Sequence, residues 1–223
     1  RLMLEKPEEI LVGIQLLMKA MKVNKAVIGI ENNKPDAIKL LTEKCKSYNG
    51  ISIIALKVQY PQGGEKQLIN AVTGKEVPSG GLPIAVGAVV SNVGTAFAVY
   101  EAIQKNKPLI ERVVTITGKD VSRPSNFLVR IGTATSELVE AAGGLPGNTG
   151  KIISGGPMMG RAIRTLDVPV TKGTSGILIM NEHESIRKEM IPCIRCSRCT
   201  SVCPMGLEPY LLMTLGQKQI FDR

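Results

Sequence analysis

Four of the five cysteines in this sequence fall in one short run, Cys193-Ile-Arg-Cys196-Ser-Arg-Cys199-Thr-Ser-Val-Cys203-Pro204. The spacing C-x2-C-x2-C-x3-C-P is one at which thiolates hold a cubane iron–sulfur cluster. Short loops between ligands let several thiolates converge while peptide N–H groups turn toward the sulfides. Pro204 stops the loop and redirects the chain. A disulfide framework would instead spread its cysteines through a small secreted domain. A zinc site would pair two cysteine knuckles or recruit histidines, and the sequence has a single histidine, His183. Soft thiolates alone at this spacing select iron–sulfur chemistry over most metals. Cys193, Cys196, Cys199 and Cys203 are therefore the expected metal ligands. Cys45 reads as a small buried hydrophobe on its own helix, and His183, near a domain junction, is assigned no chemistry.

In two-cluster ferredoxins the fourth cysteine of one run ligates the other cluster. That rule groups Cys193, Cys196 and Cys199 and leaves Cys203 for a second cluster, which needs another run. None occurs in these 223 residues. The chain starts at Arg1 without a Met and stops at Arg223, just past an apparent helix over Leu207–Phe221. It reads as a piece of a longer protein carrying two 4Fe-4S clusters, with the second run downstream.

Two glycine-bearing loops form a second constellation. Gln62-Gly63-Gly64-Glu65 follows an apolar run at Ile51–Val58, and Ser91-Asn92-Val93-Gly94-Thr95 follows another at Ile84–Val90. Loops at strand ends that open helices are where α/β sheets bind ligands, because glycine lets peptide N–H groups approach a phosphate or a flavin ring. Glu65 can accept hydrogen bonds from ribose or ring N–H groups. A plain turn or a helix cap accounts for either loop equally well on pattern alone.

The elements that must carry these loops alternate. Lys6-Pro7-Glu8-Glu9 opens a helix with Pro in its first turn and acids at the positive end of its dipole. Ile10, Leu11, Ile14, Leu17, Met18 and Met21 form its apolar face. Strand Ala26–Ile30, helix Lys34–Lys46 and strand Ile51–Val58 follow. A helix runs from Glu65 to about Val72; after the Pro/Gly-rich loop Val77–Pro83 come strand Ile84–Val90 and helix Val93–Gln104. Apolar strands separated by helices predict an α/β fold with a parallel sheet covered on both faces. After Pro108 the pattern changes to strands Arg112–Thr117 and Asn126–Arg130, helix Ser136–Ala142, and strands Lys151–Ser154 and Gly176–Met180. That order suggests an α+β unit of the β-grasp kind. Within it, Gly155-Gly-Pro-Met-Met-Gly160 reads as a ligand-touching loop or as a tight turn with two core methionines.

The net charge is +9 and aromatic residues make up 3% of the chain. The charges are scattered, without a basic tail or an aromatic-interleaved stripe, so no nucleic-acid partner is expected. Arg195 and Arg198, between the cysteines, are better suited to raising a cluster's potential or meeting an acidic redox partner. No apolar stretch approaches a membrane span, and the clustered thiols argue for a reducing compartment.

The order of these motifs resembles one family, the C subunit of Rnf-type electron transport complexes, which exchange electrons between ferredoxin and NAD at a membrane. The resemblance runs through Tyr60–Leu68, Pro78–Pro83, Gly155–Gly160 and Cys193–Gly206. The first domain is in turn similar to the flavin- and NADH-binding subunit of respiratory complex I. There a Gly-Glu-Glu-Thr loop and an Asn-Val-Glu-Thr loop hold FMN and NADH. Gly64 and Glu65 match the first, with Lys66 and Gln67 in place of Glu and Thr. Asn92, Val93 and Thr95 match the second, with Gly94 in place of Glu. The family's glycine-rich flavin loop, expected upstream, is missing. The central unit is similar to soluble-ligand-binding β-grasp domains.

The resemblance implies three parts. They are a flavin/NADH-binding α/β domain over 1–108 (cut short at its start), a β-grasp domain over 109–182, and a ferredoxin-like segment over 183–223 (cut short at its end). It implies FMN and NAD(H) at Gly63, Gly64, Glu65, Asn92 and Thr95, with no catalytic side chain, because the cofactors carry the redox chemistry. Other members of the complex, with ferredoxin or a ferredoxin-like protein, would hold the chain at the cytoplasmic face of the membrane and couple electron flow to ion translocation. The competing reading is a β-grasp and ferredoxin adaptor that relays electrons without binding nucleotide.

Overall fold

Pro7 begins the first long helix, where a fixed φ and a missing N–H carry no penalty. The computed structural model of the chain describes residues 2–186, 189 and 191–221. They divide between two compact units, Arg1–Val113 with Leu128–Thr133 and Pro169–Gly173, and Val114–Phe127 with Ala134–Val168 and Thr174–Arg223. The terminal residues Arg1 and Arg223 themselves lie outside the described residues.

In the first unit, α1 (Leu2–Glu5) leads into α2 (Pro7–Met21), which a left-handed Lys22 at φ 55° closes. Strands β1 (Ala26–Glu31) and β2 (Ile51–Leu56) pair in parallel, from Ala26 opposite Ile51 to Glu31 opposite Leu56. A parallel pair requires a crossover, supplied by α3 (Pro35–Cys45). Then come α4 (Glu65–Thr73) and α5 (Val93–Gln104). The core gathers Leu11, Met18, Ile28, Ile30, Leu41, Cys45 and Ile51, with Ile14, Ile38, Tyr48 and Val93 packed against it. Cys45 is buried as expected, and that burial pushes its thiol pKa up. Two glycines permit close helix approach. A Cβ on Gly13 would run into the carbonyl of Ala96 on α5, and one on Gly29 would meet Leu56 and Leu68. At the far end of the helices Tyr48 donates a 2.6 Å hydrogen bond to Glu8, which also pairs with Lys44 at 2.8 Å.

The expected strand over Ile84–Val90 does not form. Pro83–Val86 make a turn of 3-10 helix that ends at Gly87 in the left-handed region, φ 71°. Proline presets the φ for such a turn and glycine its exit, and the apolar side chains find no sheet: Ile84 is 68% and Val89 58% exposed. A short apolar run does not by itself distinguish a strand from other structure. The parallel sheet of the first unit's described residues is therefore the β1–β2 pair.

The remaining strands are β3 (Glu111–Thr117), β4 (Ser125–Arg130), β5 (Thr149–Ser154), β6 (Arg161–Ile163) and β7 (Gly176–Asn181). They form a five-stranded sheet in the order β4-β3-β7-β5-β6, with β3 parallel to β7 and β5 antiparallel to both β7 and β6. Helix α6 (Thr135–Ala141) buries Leu138 and Val139, and its buried Thr135 donates to the Val168 carbonyl at 2.7 Å. Strand β6 has no signature in the sequence, because three residues carry no periodicity. It makes the Gly155–Gly160 loop a tight hairpin connection, with Gly155 at φ 108°. The two methionines on that loop are not in the core: Met158 is 69% and Met159 82% exposed.

The short helices α7 (Glu182–Ser185) and α8 (Arg198–Ser201) precede α9 (Pro209–Gln217). Helix α9 is shorter than the expected Leu207–Phe221. Pro209 fixes its start, and Gln219 turns left-handed at φ 56° just past its end. His183 lies exposed on α7. No helix among the described residues is long and apolar enough to cross a membrane.

Candidate functional site

Gly64 caps the N-terminus of α4, and its N–H donates to the Pro61 carbonyl at 2.7 Å, just after the cis Tyr60–Pro61 bond. Glu65 is the first helical residue, exposed at the positive end of the helix dipole. The two glycines are not equivalent. A Cβ on Gly63 would meet nothing within 4 Å, whereas one on Gly64 would lie 2.5 Å from Gln67 Oε1 and 3.0 Å from the Pro61 carbonyl. Gly63 thus leaves its backbone open to an approaching group, while Gly64 is required by its own turn.

Asn92 caps α5. Its Oδ1 accepts from the Gly94 N–H at 2.9 Å, and its carbonyl accepts from the Thr95 N–H at 2.9 Å. Thr95 is exposed. Both loops open helices, as expected, but only the first comes after a strand. The segment between them is held by two lysines: Lys66 Nζ donates to the Pro78 carbonyl at 3.2 Å and Lys75 Nζ to the Val86 carbonyl at 3.1 Å. No sequence pattern signals these two tethers, because a lysine reaching a carbonyl has no spacing rule.

All four cysteines of the run are free; Cys193, Cys196 and Cys199 are exposed and Cys203 is half-buried. Arg195 and Ser197 adopt left-handed φ values of 55° and 58°, which curl the chain between the thiols. The Arg195 N–H donates to Cys193 Sγ at 3.4 Å, and the Leu207 N–H to Cys203 Sγ at 3.4 Å. Thr200 Oγ1 is buried without a hydrogen-bond partner. Among the described residues, no three or more Cys, His, Asp or Glu side chains converge as a metal site.

A polar cluster closes one end of the five-stranded sheet. Asp120 Oδ2 accepts from Asn148 at 2.7 Å and Asn181 at 3.0 Å, and these bonds hold its carboxyl below the usual range, with Lys119 adding to them. Lys119 pairs with Glu184 at 2.6 Å, and that pairing raises the lysine's pKa. Every member is satisfied within the chain, so the cluster reads as structural.

Residues 1–101 match the Nuo51 FMN-binding domain and residues 113–162 the SLBB domain. The C subunit of the proton-translocating ferredoxin:NAD(+) oxidoreductase complex of Clostridium ljungdahlii is 48% identical, aligning over 100% of this chain and 48% of its own length. The Na(+)-translocating counterpart of Acetobacterium woodii is 40% identical over 100% of this chain and 50% of that protein. The C subunit of the ion-translocating oxidoreductase complex of Rhodobacter capsulatus is 42% identical over 95% and 41%. Along its whole length the chain is similar to these C subunits.

It spans about half the length of the curated C subunits it matches. Crystal structures of an NAD+-reducing [NiFe]-hydrogenase share its fold. In the air-oxidised state the TM-score is 0.66 at 21% identity, over 82% of this chain and 37% of the hydrogenase chain. The H2-reduced state gives 0.64 at 19% over 81% and 37%. The fold expectation, a flavin-subunit-like α/β unit followed by an α+β unit, holds.

The residues present fit the cofactors such a domain implies. The cysteine run offers four unpaired thiols, two peptide N–H groups already at sulfur distance, and a hydroxyl lacking an acceptor. That donor set suits iron–sulfur chemistry. Gly63 offers open backbone at the start of α4.

Proposed function

We propose that the chain is part of an electron-transfer subunit of a ferredoxin:NAD oxidoreductase complex. It handles electrons between NAD(H), FMN and 4Fe-4S clusters, while the other members of the complex couple the flow to ion translocation. The observation that supports this reading most is identity of 40–48% to named C subunits along the whole chain, joined to the cysteine run at 193–203.

In this reading residues 1–108 form the flavin and NADH part, 109–182 the β-grasp part and 183–223 a ferredoxin-like part. The protein sits peripherally at the cytoplasmic face of the membrane, held by the rest of the complex and served by ferredoxin or a ferredoxin-like protein. When bound, FMN and the clusters supply the conversion between two-electron and one-electron transfer. The chain's own groups bind and orient. Gly63 and Gly64 admit a phosphate or ring edge to the N-terminus of α4, and Glu65 accepts hydrogen bonds there. Asn92 and Thr95 line the start of α5. Cys193, Cys196 and Cys199 hold one cluster, and Cys203 contributes to a second in the longer protein.

Full-length protein titrated with FMN, then assayed for anaerobic NADH oxidation with an artificial acceptor, tests this directly. Saturable flavin binding with NADH oxidation is expected. Iron–sulfur content without flavin or NADH binding would favour the adaptor that relays electrons only.

A further inference from the structure

We infer that Thr200 is a hydrogen-bond donor to the sulfur of the cluster held by its neighbour Cys199 with Cys193 and Cys196, and that it raises the reduction potential of that cluster. The inference rests on the cluster reading above. Its starting point is an anomaly in hydrogen bonding. Thr200 Oγ1 is buried yet has no partner. A buried hydroxyl left unpaired costs about 1–3 kcal/mol, so it persists where an acceptor is supplied by something else.

The usual intrahelical acceptor is not used here. Hydroxyls on helices usually bond back to a carbonyl one turn earlier, and this chain follows that habit elsewhere. Ser201 Oγ donates to the Arg198 carbonyl at 2.9 Å, Thr214 Oγ1 to Tyr210 at 2.9 Å and Thr73 Oγ1 to Ile69 at 2.7 Å. For Thr200 the carbonyl one turn back, Ser197, already receives two N–H groups, from Thr200 and Ser201, each at 3.1 Å. The Thr200 carbonyl is engaged as well, accepting from the Cys203 N–H at 3.2 Å. Sulfur is the acceptor this loop already favours, since its peptides are turned toward it at Cys193 and Cys203.

A hydroxyl donating to a thiolate or sulfide stabilises the more negative, reduced cluster, because hydrogen bonds to the sulfurs are among the determinants of cluster potential. Thr200→Val removes the donor at nearly constant shape, and Thr200→Ser keeps it. The experiment is an anaerobic redox titration of reconstituted full-length protein followed by electron paramagnetic resonance, with iron and sulfide assayed in parallel. Iron and sulfide should match wild type in both variants. In Thr200→Val the reduced-to-oxidised ratio of one cluster at fixed ambient potential should fall about tenfold, a midpoint about 59 mV more negative for one electron. Thr200→Ser should titrate with wild type, and iron lost from the valine variant alone would also support the hydroxyl's role. A wild-type midpoint in Thr200→Val would overturn the proposal. So would loss of iron from both variants, which would assign Thr200 to packing. Wild-type protein without iron would overturn the cluster reading beneath it.

Discussion

The two candidate sites of this chain are supported in opposite ways. The glycine loops end on helices α4 and α5, in a unit whose Leu11 and Leu41 are fully buried and whose Gly13 and Gly29 allow close packing. The cysteine run has nothing comparable. Neither α8 nor α9 buries a residue, and Ile191, Ile194 and Val202 are 85%, 85% and 77% exposed. A site mounted on a core keeps its shape whether or not its ligand is present. A site made of exposed thiols would draw its order from a bound metal, since metal-binding free energy is also folding free energy.

The largest expected effect breaks the second site and spares the first. In full-length protein, Cys193→Ser, Cys196→Ser or Cys199→Ser should remove one cluster, because a hydroxyl is a poor substitute for a thiolate on iron. Iron and sulfide should fall by about half of a two-cluster total, with flavin content unchanged. Cys45→Ser is the opposite case. It should leave the cluster spectrum intact and destabilise the first unit by about 1–3 kcal/mol by placing a hydroxyl in an apolar pocket. Unchanged iron in Cys196→Ser would remove the motif assignment.

A smaller effect tests whether the glycine loop is a site or only a turn. Gly63→Val adds side-chain atoms where a Cβ meets nothing within 4 Å. It should weaken FMN binding at least about tenfold, or about 1.4 kcal/mol, without moving the melting temperature. Gly64→Val places its Cβ 3.0 Å from the Pro61 carbonyl, so it should lower stability together with affinity, about 1–3 kcal/mol. Glu65→Gln keeps size and removes charge, and should reduce NADH oxidation more than flavin content. Wild-type flavin affinity in Gly63→Val would place the flavin elsewhere.

Elements were legible in the sequence wherever local chemistry and packing agreed. Pro7, Pro35 and the apolar stripe of α2 announced helices, and the runs at Ala26 and Ile51 became paired strands. Pattern misled where it had two physical solutions. The run Ile84–Val90 has strand composition, but Pro83 and Gly87 bracket it into a turn and leave it exposed. Met158 and Met159 look like core residues until the three-residue strand β6 shows that they occupy a hairpin tip. At the candidate sites, the cysteine spacing is visible in the sequence because it is a local feature. The orphan hydroxyl of Thr200 and the tethers from Lys66 and Lys75 are not, because each depends on which carbonyls are already taken, a property of the folded chain.

The smallest effect concerns the anchoring of the core that supports the first site. Tyr48 joins α3's end to α2's start by donating to Glu8, and this hydrogen bond, with burial adding to it, raises the phenol from 10.0 to about 12. Glu8 is correspondingly lowered, chiefly by its bond to Lys44 and next by Tyr48. For the phenol, the raised folded value means that its stabilisation is complete below its unfolded pKa of 10.0 and lost as pH rises through about 12. For the carboxyl the sign reverses: its contribution is present above its unfolded value of 4.5 and fades as pH falls through the lowered folded one. Tyr48→Phe should therefore melt slightly below wild type at neutral pH, with the difference closing between pH 10 and about 12 and narrowing again in acid. The groups are largely solvated, so the shift in melting temperature should be small. Melting curves of the two proteins across that range decide it. No gap at neutral pH would mean that the hydroxyl contributes nothing, and a gap that stays constant through the alkaline window would mean that its contribution does not depend on its bond to Glu8.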